Sequence, residues 1–333
     1  MSMWKNRKVL VTGSNGFLGS HLCKSLIDLD AEVIGLYRNL HKDSELVRSG
    51  VHNKIMMIQG DLEDSALIDR IMCKYQIETI FHLGAQTDVK IAHANPVDTF
   101  RTNILGTCNL LESSRKFDTV KQIIVASSDK AYGDVENLPY TEKTKMNGIF
   151  PYDVSKSVTD LLSSTYFHTY GLPVCVTRCG NIYGGGDLNL TRIVPSSAMS
   201  VLKGEKPLIR GDGSSTRDYL YVLDAVDAYL TLAENMQINK EIWGEAFNFS
   251  SGKPLSVLDL VNKIIEIINI DHIEPEILNI AKCEINNQFL DIKKAENLLN
   301  WKPKYSIEEG LANTINWYDE YLQEKTSHEK VRV

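Results

Sequence analysis

The first half of the chain alternates short apolar runs with longer segments whose apolar residues recur at helical spacing. The apolar runs predict strands at Lys8–Thr12, Glu32–Tyr37, Ile55–Gln59, Thr79–Leu83, Gln122–Ser127 and Val174–Arg178. The longer segments predict helices at Phe17–Asp28, Ser65–Tyr75 (capped by Ser65), Pro96–Phe117 and Tyr152–Tyr170. Strands that alternate with helices of this length indicate a parallel sheet covered by helices on both faces.

After about Gly180 the rhythm changes, because glycines and prolines divide the chain into shorter pieces. Helices are predicted at Thr191–Lys203, Val222–Glu234, Val257–Ile267 and Ile307–Gln323. We therefore predict an α/β protein with a doubly wound parallel sheet in residues 1–180 and a smaller α+β lobe in residues 181–325. Some strands or helices of the lobe are expected to return to the first domain, and residues 326–333 are expected to form a frayed, polar tail.

Composition narrows the class of protein. The chain has 333 residues, of which 43% are hydrophobic and 24% charged, which excludes a disordered chain, a fibrous repeat and a disulfide miniprotein. The net charge of −7 argues against a nucleic-acid-binding surface, which needs clustered Lys and Arg. Since no apolar run reaches the ~18 residues of a membrane span, we expect neither a nucleic acid nor a membrane as partner.

The N-terminus and the cysteines suggest a compartment. The first residues lack the small-residue cleavage site of a signal peptide. The cysteines are scattered, with no CxxC pair, at Cys23, Cys73, Cys108, Cys175, Cys179 and Cys283. We therefore expect reduced thiols in a cytoplasmic protein. The histidines show no metal-ligand spacing, so no metal site is predicted.

A glycine-rich loop, Thr12–Gly19 (TGSNGFLG), directly follows the first predicted strand and leads into a helix. Gly13 permits a tight turn, Gly16 lets the backbone approach a pyrophosphate, and Gly19 allows helix and strand to pack closely. The N-terminus of the helix then offers N–H groups to phosphates. This placement predicts a Rossmann-type dinucleotide-binding domain, with Asn15 inside the binding loop.

The ends of the second and third strands bear on the cofactor. Arg38 stands where an acid would bind the ribose hydroxyls of NAD, and it can instead face a 2′-phosphate. The sequence thus favours NADP but leaves NAD open. Asp61, after the third strand, is placed to accept from the adenine amine, with Leu62 near the ring. The alternative for Asp61 is a helix-capping or turn role.

Tyr152 and Lys156 lie four residues apart at a helix start that Pro151 supports. This spacing puts both side chains on one face of the helix, where an ammonium stabilises a phenolate and makes Tyr152 a usable base. The same spacing recurs by chance at Tyr321 and Lys325. Position in the chain favours Tyr152 over Tyr321. Tyr152 comes after the fifth strand, whose carboxyl end carries the segment Ser127–Gly133, and ligands of parallel sheets bind at such strand ends.

With these residues in place, the chain resembles the extended short-chain dehydrogenases that act on nucleotide sugars, over nearly its whole length. The matching segments are Thr12–Gly19 (TGxxGFxG), Phe81–Gln86 (HLAA), Tyr152–Lys156 (YxxxK), Arg178–Gly184 (RxxNxYG), Arg217–Val222 (RDYxxV) and Leu299–Pro303 (LGWxP). The resemblance implies further cofactor contacts at Phe17, Leu18, Leu83 and Ala85. It implies substrate contacts at Gln86, Asn181, Arg192 and Arg217, although a solvated Arg192 is an equal alternative. Arginine suits the substrate diphosphate.

The residues after the fifth strand indicate the subfamily. Ser128-Asp129-Lys130 resembles the 4,6-dehydratases, in particular the CDP-glucose branch, which shares the segments Gly180–Asp187 and Arg192–Pro195. The chain departs from that branch at Arg217-Asp218-Tyr219. The resemblance implies that Ser128 and Tyr152 serve oxidation at the sugar C4. A neutral Lys130 then removes the C5 proton, a protonated Asp129 protonates the leaving 6-hydroxyl, and the nicotinamide cofactor stays bound throughout.

Other readings of the same residues stay open. A nucleotide-sugar 4-epimerase keeps Tyr152 and Lys156 but has no use for Asp129 and Lys130, which would then form a loop ion pair. A protein that kept the fold but lost catalysis is a third possibility. The resemblance also implies a homodimer, in which the helices at Pro96–Phe117 and Tyr152–Tyr170 pair across the interface as a four-helix bundle.

Overall fold

The computed structural model describes residues 2–270, 272–280 and 285–330, the last three of these without their side chains. In chain order the strands are β1 (Lys8–Thr12), β2 (Glu32–Tyr37), β3 (Met56–Gln59), β4 (Thr79–His82), β5 (Gln122–Ala126), β6 (Val174–Cys179), β7 (Asn181–Tyr183), β8 (Leu208–Ile209), β9 (Thr216–Arg217), β10 (Tyr219–Tyr221), β11 (Ala246–Phe249), β12 (Leu255–Ser256), β13 (Glu276–Ile277) and β14 (Asn287–Gln288). The helices are α1 (Phe17–Asp28), α2 (Glu45–Arg48), α3 (Ser65–Tyr75), α4 (Val89–Ala94), α5 (Pro96–Phe100), α6 (Gly106–Lys116), α7 (Pro151–Tyr170), α8 (Ile193–Leu202), α9 (Val222–Ile238), α10 (Val257–Ile268), α11 (Lys293–Leu299) and α12 (Ile307–Lys330).

The central sheet has seven strands in the order β11-β6-β5-β4-β1-β2-β3, and each adjacent pair is parallel. This confirms the predicted doubly wound sheet. The chain order runs outward from β1 to β3 and then from β4 to the opposite edge. The loops after β1 and β4 therefore diverge, and ligands of such sheets bind in the crevice that this opens.

The strands of the sheet other than the edge strand β3 are buried on both faces. In β1, Val9 and Val11 belong to a core cluster with α1 and α9, whereas Leu10 belongs to a second cluster with α3, α6 and α7. Successive side chains of a strand point to opposite faces, so a continuous apolar run fills both cores.

The second lobe has a core of its own, built from β7, β10, α8, α10 and α12, with Tyr183, Leu260 and Tyr318 at its centre. Two elements of this half of the chain join the large sheet: β11 pairs with β6, and α9 packs against α1 and β5. The small sheet β12-β9-β14 lies in the lobe and carries Arg217 and Gln288 in register.

In the first half one predicted helix is interrupted, another begins one residue earlier, at Pro151, and one predicted cap changes. The helix predicted over Pro96–Phe117 contains a π-helical turn at Arg101–Leu105 between α5 and α6, and it ends at Lys116. Such wide turns insert a residue into the helical ladder and occur often at functional sites. The predicted cap Ser65 is wrong, because Asp64 accepts a hydrogen bond of 2.9 Å from the Leu67 amide.

All four helices predicted in the second half change a boundary as well, and among them α9 runs on to Ile238 and α10 to Ile268. The helix predicted from Thr191 begins at Ile193 and ends at Leu202. The final helix continues to Lys330, seven residues beyond the predicted end at Gln323, and the frayed tail of residues 326–333 stays a prediction. Ion pairs of Glu324 with Arg48 and of Lys325 with Asp43 hold this helix against the first domain.

The thiols of Cys23, Cys73, Cys108, Cys175 and Cys179 are free, and Cys283 lies outside the described residues. Among the helices of the described ranges, none combines the length and apolar character that crossing a membrane requires.

Candidate active site

The glycine loop after β1 has the shape that a dinucleotide requires. Gly13 has φ +70°, and a Cβ there would lie 2.9 Å from the Gly84 Cα in the loop after β4. A Cβ at Gly19 would overlap the Gly13 carbonyl oxygen. In the described chain no side chain caps α1, which follows Gly16, so the amides of its first turn are available to a phosphate. These residues fit the pyrophosphate of a dinucleotide.

Asn15 fixes the neighbouring loop after β2. Its Nδ2 donates to the Asn39 carbonyl at 3.0 Å, and its Oδ1 accepts from Ser44 Oγ at 2.5 Å. Asn15 is 5% exposed, whereas Arg38 is exposed at the rim of the crevice. The sequence identified Asn15 but not Ser44, because only the fold brings residue 44 to the glycine loop.

Asp61 and Leu62, the residues expected near the adenine, follow β3. The Asp61 carboxylate accepts from the Glu63 amide at 3.1 Å, a turn contact that uses one of its oxygens. Leu62 is buried, and a Cβ added at Gly84 would lie 2.9 Å from its Cδ1. Leu62 therefore supports the loop after β4, where Leu83 and Ala85 are half-buried.

The segment after β5 forms a tight turn that groups Ser128, Asp129 and Lys130. Ser128 Oγ accepts from the Lys130 amide at 3.2 Å and donates to Asp129 Oδ1 at 3.0 Å. Tyr132 fixes the turn to β11 and β6, since its hydroxyl donates to Asn248 at 2.7 Å and accepts from Arg178 at 2.8 Å. This turn and the start of α7 lie on the same edge of the sheet.

Tyr152 lies in the first turn of α7 and is 8% exposed. Burial raises the pKa of its phenol to about 12, while the Ser128 hydrogen bond and the Arg192 charge act in the opposite direction. The expectation that Lys156 lowers this pKa is wrong for this structure. The Lys156 ammonium donates instead to the Ala126 carbonyl at 2.7 Å, so burial dominates.

Lys156 is held at the end of β5, and burial lowers its pKa to about 8. Its main-chain carbonyl accepts from Ser127 Oγ at 3.2 Å, which joins α7 to the β5 turn. Burial therefore favours the neutral form of this amine, next to the turn Ser128–Lys130.

Asp129 is 3% exposed, and its Oδ2 has no hydrogen-bond partner in the part of the chain that the structure describes. Burial raises the pKa of its carboxyl, an effect that the charge of Lys130 partly offsets. A carboxyl whose neutral form is favoured can donate a proton. The arrangement can thus supply a phenol, an amine and a carboxylic acid at one edge of the sheet.

Comparisons with known proteins agree with this geometry. The family model described as GDP-mannose 4,6 dehydratase matches residues 10–314. UDP-glucuronate 4-epimerase of Thermodesulfobacterium geofontis is 33% identical over 94% of this chain and 97% of its own. The structure of UDP-glucose 4-epimerase from Thermotoga maritima with UDP-glucose has a TM-score of 0.86 and 33% identity, covering 95% of this chain and 99% of its own. dTDP-glucose 4,6-dehydratase of Bacillus anthracis, in complex with NAD, has a TM-score of 0.82 and 25% identity, covering 94% and 97%.

The chain belongs to the GDP-mannose 4,6 dehydratase family. It is therefore an enzyme of the NAD-dependent, extended short-chain dehydrogenase type, as the sequence motifs predicted. The predicted nicotinamide cofactor agrees with this family. The resemblance to the CDP-glucose branch stays a prediction.

Four residues matched to the family's substrate contacts lie in different surroundings. Gln86 is tied by its main chain to the buried Asn103, at 2.7 and 3.0 Å. Asn181 is half-buried on β7. Arg192 is 37% exposed at its side chain and pairs with Asp187 at 2.9 Å. The guanidinium of Arg217 donates to the main-chain carbonyls of residues 216, 285 and 286.

The sequence reasoning missed two buried acids near the catalytic turn. Burial raises the pKa of Asp218 to about 7 and that of Asp153 to about 6. Asp218 Oδ2 accepts from the Leu290 amide at 2.6 Å. Asp218 is part of the RDYxxV motif and Asp153 is part of YxxxK. The sequence motifs therefore contained both acids but did not show that they are buried.

Proposed function

We propose that this enzyme is a nucleotide-sugar 4,6-dehydratase, which makes a 4-keto-6-deoxy sugar by oxidation at C4, loss of water across C5 and C6, and reduction at C6. The observation that carries the proposal is the buried Asp129, directly before Lys130, with an Oδ2 that finds no hydrogen-bond partner within the described ranges. Oxidation and reduction at C4 alone need no second acid and base.

The cofactor proposed here is NAD or NADP, bound and recycled in the crevice between the loops after β1 and β4. The residues proposed to hold it are Gly13, Asn15, Gly16, Phe17, Leu18, Arg38, Asp61, Leu62, Leu83, Ala85, Tyr152 and Lys156. A nicotinamide bound there would supply hydride transfer from C4 and back to C6, and its positive charge in the oxidised form would favour a neighbouring phenolate.

The chain's own residues move the protons. Tyr152 takes the proton of the 4-hydroxyl, and Ser128 holds the same oxygen by a hydrogen bond. The resulting 4-ketone makes the C5 hydrogen acidic, and the Lys130 amine removes it as a proton. The electron pair of that bond forms a C5–C6 double bond as the C6–O bond breaks, and Asp129 gives its proton to the leaving oxygen, which departs as water. Lys130 returns a proton to C5, and the proton held by Tyr152 passes through solvent to Asp129, which restores both groups.

The diphosphate of the substrate is proposed to lie against the second lobe. Arg192 and Arg217 are the cations proposed to face it, with Asn181 and Gln86 as neutral contacts. Of these residues, Arg192 is the best supported as a phosphate contact. Its side chain is partly exposed to solvent, and its positive charge acts to lower the pKa of Tyr152.

A 4-epimerase is the alternative, and the similarity to two 4-epimerases favours it. Such an enzyme uses Ser128, Tyr152 and Lys156 in the same way. It returns the hydride to C4 and leaves the C5 hydrogen untouched.

The test is turnover of UDP-, GDP-, CDP- and dTDP-hexoses in deuterated water. A dehydratase releases one water and incorporates one solvent deuterium at C5, both visible by mass spectrometry and proton NMR. The double variant Asp129→Asn, Lys130→Met should lose product formation while the wild type retains it. Asp134→Asn, Lys145→Met makes the same charge changes at exposed positions and should behave as the wild type. Inversion at C4 without label at C5 would establish the epimerase instead.

We also propose a homodimer through α5, α6 and α7. These helices pack side by side and, with the π-helical turn between α5 and α6, expose apolar side chains, among them Val97 (57% exposed), Leu105 (46%) and Leu161 (58%). Large exposed apolar side chains on adjacent helices are typical of a helix-pairing interface.

A further inference from the structure

A glutamine from the second lobe contacts Lys130 in the turn Ser128–Lys130, the catalytic turn of the proposed mechanism. Gln288 lies on β14 and is fully buried. Its strand pairs with β9, where Arg217 is its partner in register. Gln288 is 158 residues away from Lys130 along the chain, yet its Oε1 accepts a hydrogen bond of 3.4 Å from the Lys130 Nζ.

The two side chains depend on each other. In the described residues Lys130 Nζ has no other hydrogen-bond partner, and Gln288 Oε1 has none besides Lys130. Gln288 Nε2 is buried without a partner among those residues. The amide oxygen faces Lys130, which can donate an N–H to it both as an ammonium and as a neutral amine whose lone pair stays free. Burying an amide for a single contact is costly, so the contact with Lys130 explains the residue better than packing does.

We propose that Gln288 is a positioning residue that holds the Lys130 amine in place for proton transfer at C5. This inference rests on the proposed dehydratase function. It adds a residue that is not part of the motifs at the catalytic turn, contributed by the second lobe rather than by the sheet.

The chemistry of an amide suits this task. A carboxylate in the same place would favour the charged form of Lys130 and oppose its action as a base. A neutral carbonyl oxygen fixes the amine and adds no charge. Lys130 already faces two carboxyls, Asp129 in its own turn and Asp153 on α7, and the Arg217 charge acts on Asp129 from β9. A neutral partner such as Gln288 leaves this set of charges around Lys130 unchanged.

The variants Gln288→Met and Gln288→Glu test the inference. The first keeps the length of the side chain and removes the acceptor, and the second keeps the acceptor and adds a charge. Asn287→Asp is the matched control, because Asn287 is the exposed neighbour on the same strand. The melting temperature of each variant, measured with NAD, shows whether the variant folds. If one of the two Gln288 variants does not fold, the other still tests the inference.

Two rates are measured on a substrate that the wild type accepts. Oxidation at C4 is followed in a single turnover by the absorbance of the reduced nicotinamide, and proton loss at C5 is followed by deuterium exchange. In Gln288→Met we expect exchange at C5 to fall about tenfold or more, because a displaced base transfers protons slowly, while oxidation changes by less than about twofold. In Gln288→Glu the acid limb of the pH profile for C5 exchange should move up by about one pH unit.

Combining Gln288→Met with Lys130→Met separates positioning from general damage. If Gln288 acts through Lys130, the double variant exchanges C5 no more slowly than Lys130→Met alone. Equal loss of oxidation and exchange, or an unmoved pH profile in Gln288→Glu, would overturn the inference while leaving the dehydratase intact. A wild type that oxidises C4 but never exchanges C5 would instead refute the proposed function.

Discussion

The Lys156 Nζ donates a hydrogen bond of 2.7 Å to the main-chain carbonyl oxygen of Ala126, the last residue of β5. This contact fixes α7 to the strand whose following turn carries Ser128, Asp129 and Lys130. The phenol of Tyr152, one helical turn earlier, is thereby held beside that turn. The site is built at the junction of one strand end and one helix start.

Replacing Tyr152 by Phe should abolish proton transfer from the 4-hydroxyl. We expect kcat to fall about 10²- to 10⁴-fold, because a general base is lost, with the Kd for NAD changed little. Steady-state kinetics and calorimetric titration with NAD provide the two readouts. Tyr321→Phe removes the hydroxyl of the other Tyr–Lys pair at this spacing, on α12, and should leave kcat unchanged. Equal kcat for Tyr152→Phe and the wild type would refute the assignment.

Replacing Gly13 by Ala should impair the dinucleotide loop. The new Cβ would meet the Gly84 backbone at a position with φ +70°, so both strain and collision oppose the native turn. We expect a lower melting temperature and a Kd for NAD raised by about tenfold or more, since the loop must shift. Gly171→Ala is the control, because its φ is +68° and nothing lies within 4 Å of an added Cβ. This variant places an alanine at an unfavourable φ angle but causes no steric clash with the described residues, so the Kd for NAD should stay as in the wild type.

The buried carboxyl of Asp218 should make stability depend on pH. Its pKa is raised from 3.8 to about 7, so between these values the folded protein holds a proton that the unfolded chain has released. Unfolding then releases a proton, and the free energy of unfolding falls as pH rises through this window. In Asp218→Asn this dependence is absent. The variant should therefore gain up to about 4 kcal/mol on the wild type between pH 4 and pH 7.

Urea denaturation at both ends of this window measures the effect. Asp118→Asn, at an exposed position, is the control, and its difference from the wild type should be the same at both pH values. A constant difference for Asp218→Asn would show that the carboxyl is not protonated in the folded state.

A charge on the exposed helical face should separate the proposed dimer. Leu161 on α7 is 58% exposed, and Leu161→Glu would bury a carboxylate in a helix-pairing interface. Analytical ultracentrifugation should give a dimer for the wild type and a monomer for the variant. Leu298→Glu, at a 50% exposed position of α11, should leave the dimer intact. A monomeric wild type would refute the proposed interface.

Much of the fold was accessible from local patterns. The strand–loop–helix order around Gly13 and the spacing of Tyr152 and Lys156 are local features, because neighbours in the sequence decide a turn or a helix face. The π-helical turn at Arg101–Leu105 was not predicted. It brings Asn103 to Gln86 and Ser155, and its stabilising contacts come from the distant α7 and the loop after β4.

The sequence by itself determined the parallel sheet, the glycine loop and the residue types at the end of β5, since apolar runs, glycine spacing and motif order survive without knowledge of distant contacts. Only the tertiary structure decided which groups are buried and which distant residues meet. Burial raises the pKa values of Tyr152 and Asp129, and the folding of the second lobe onto the sheet delivers Gln288 to Lys130. Desolvation and long-range contact depend on every segment that covers a site, and no single stretch of sequence contains them.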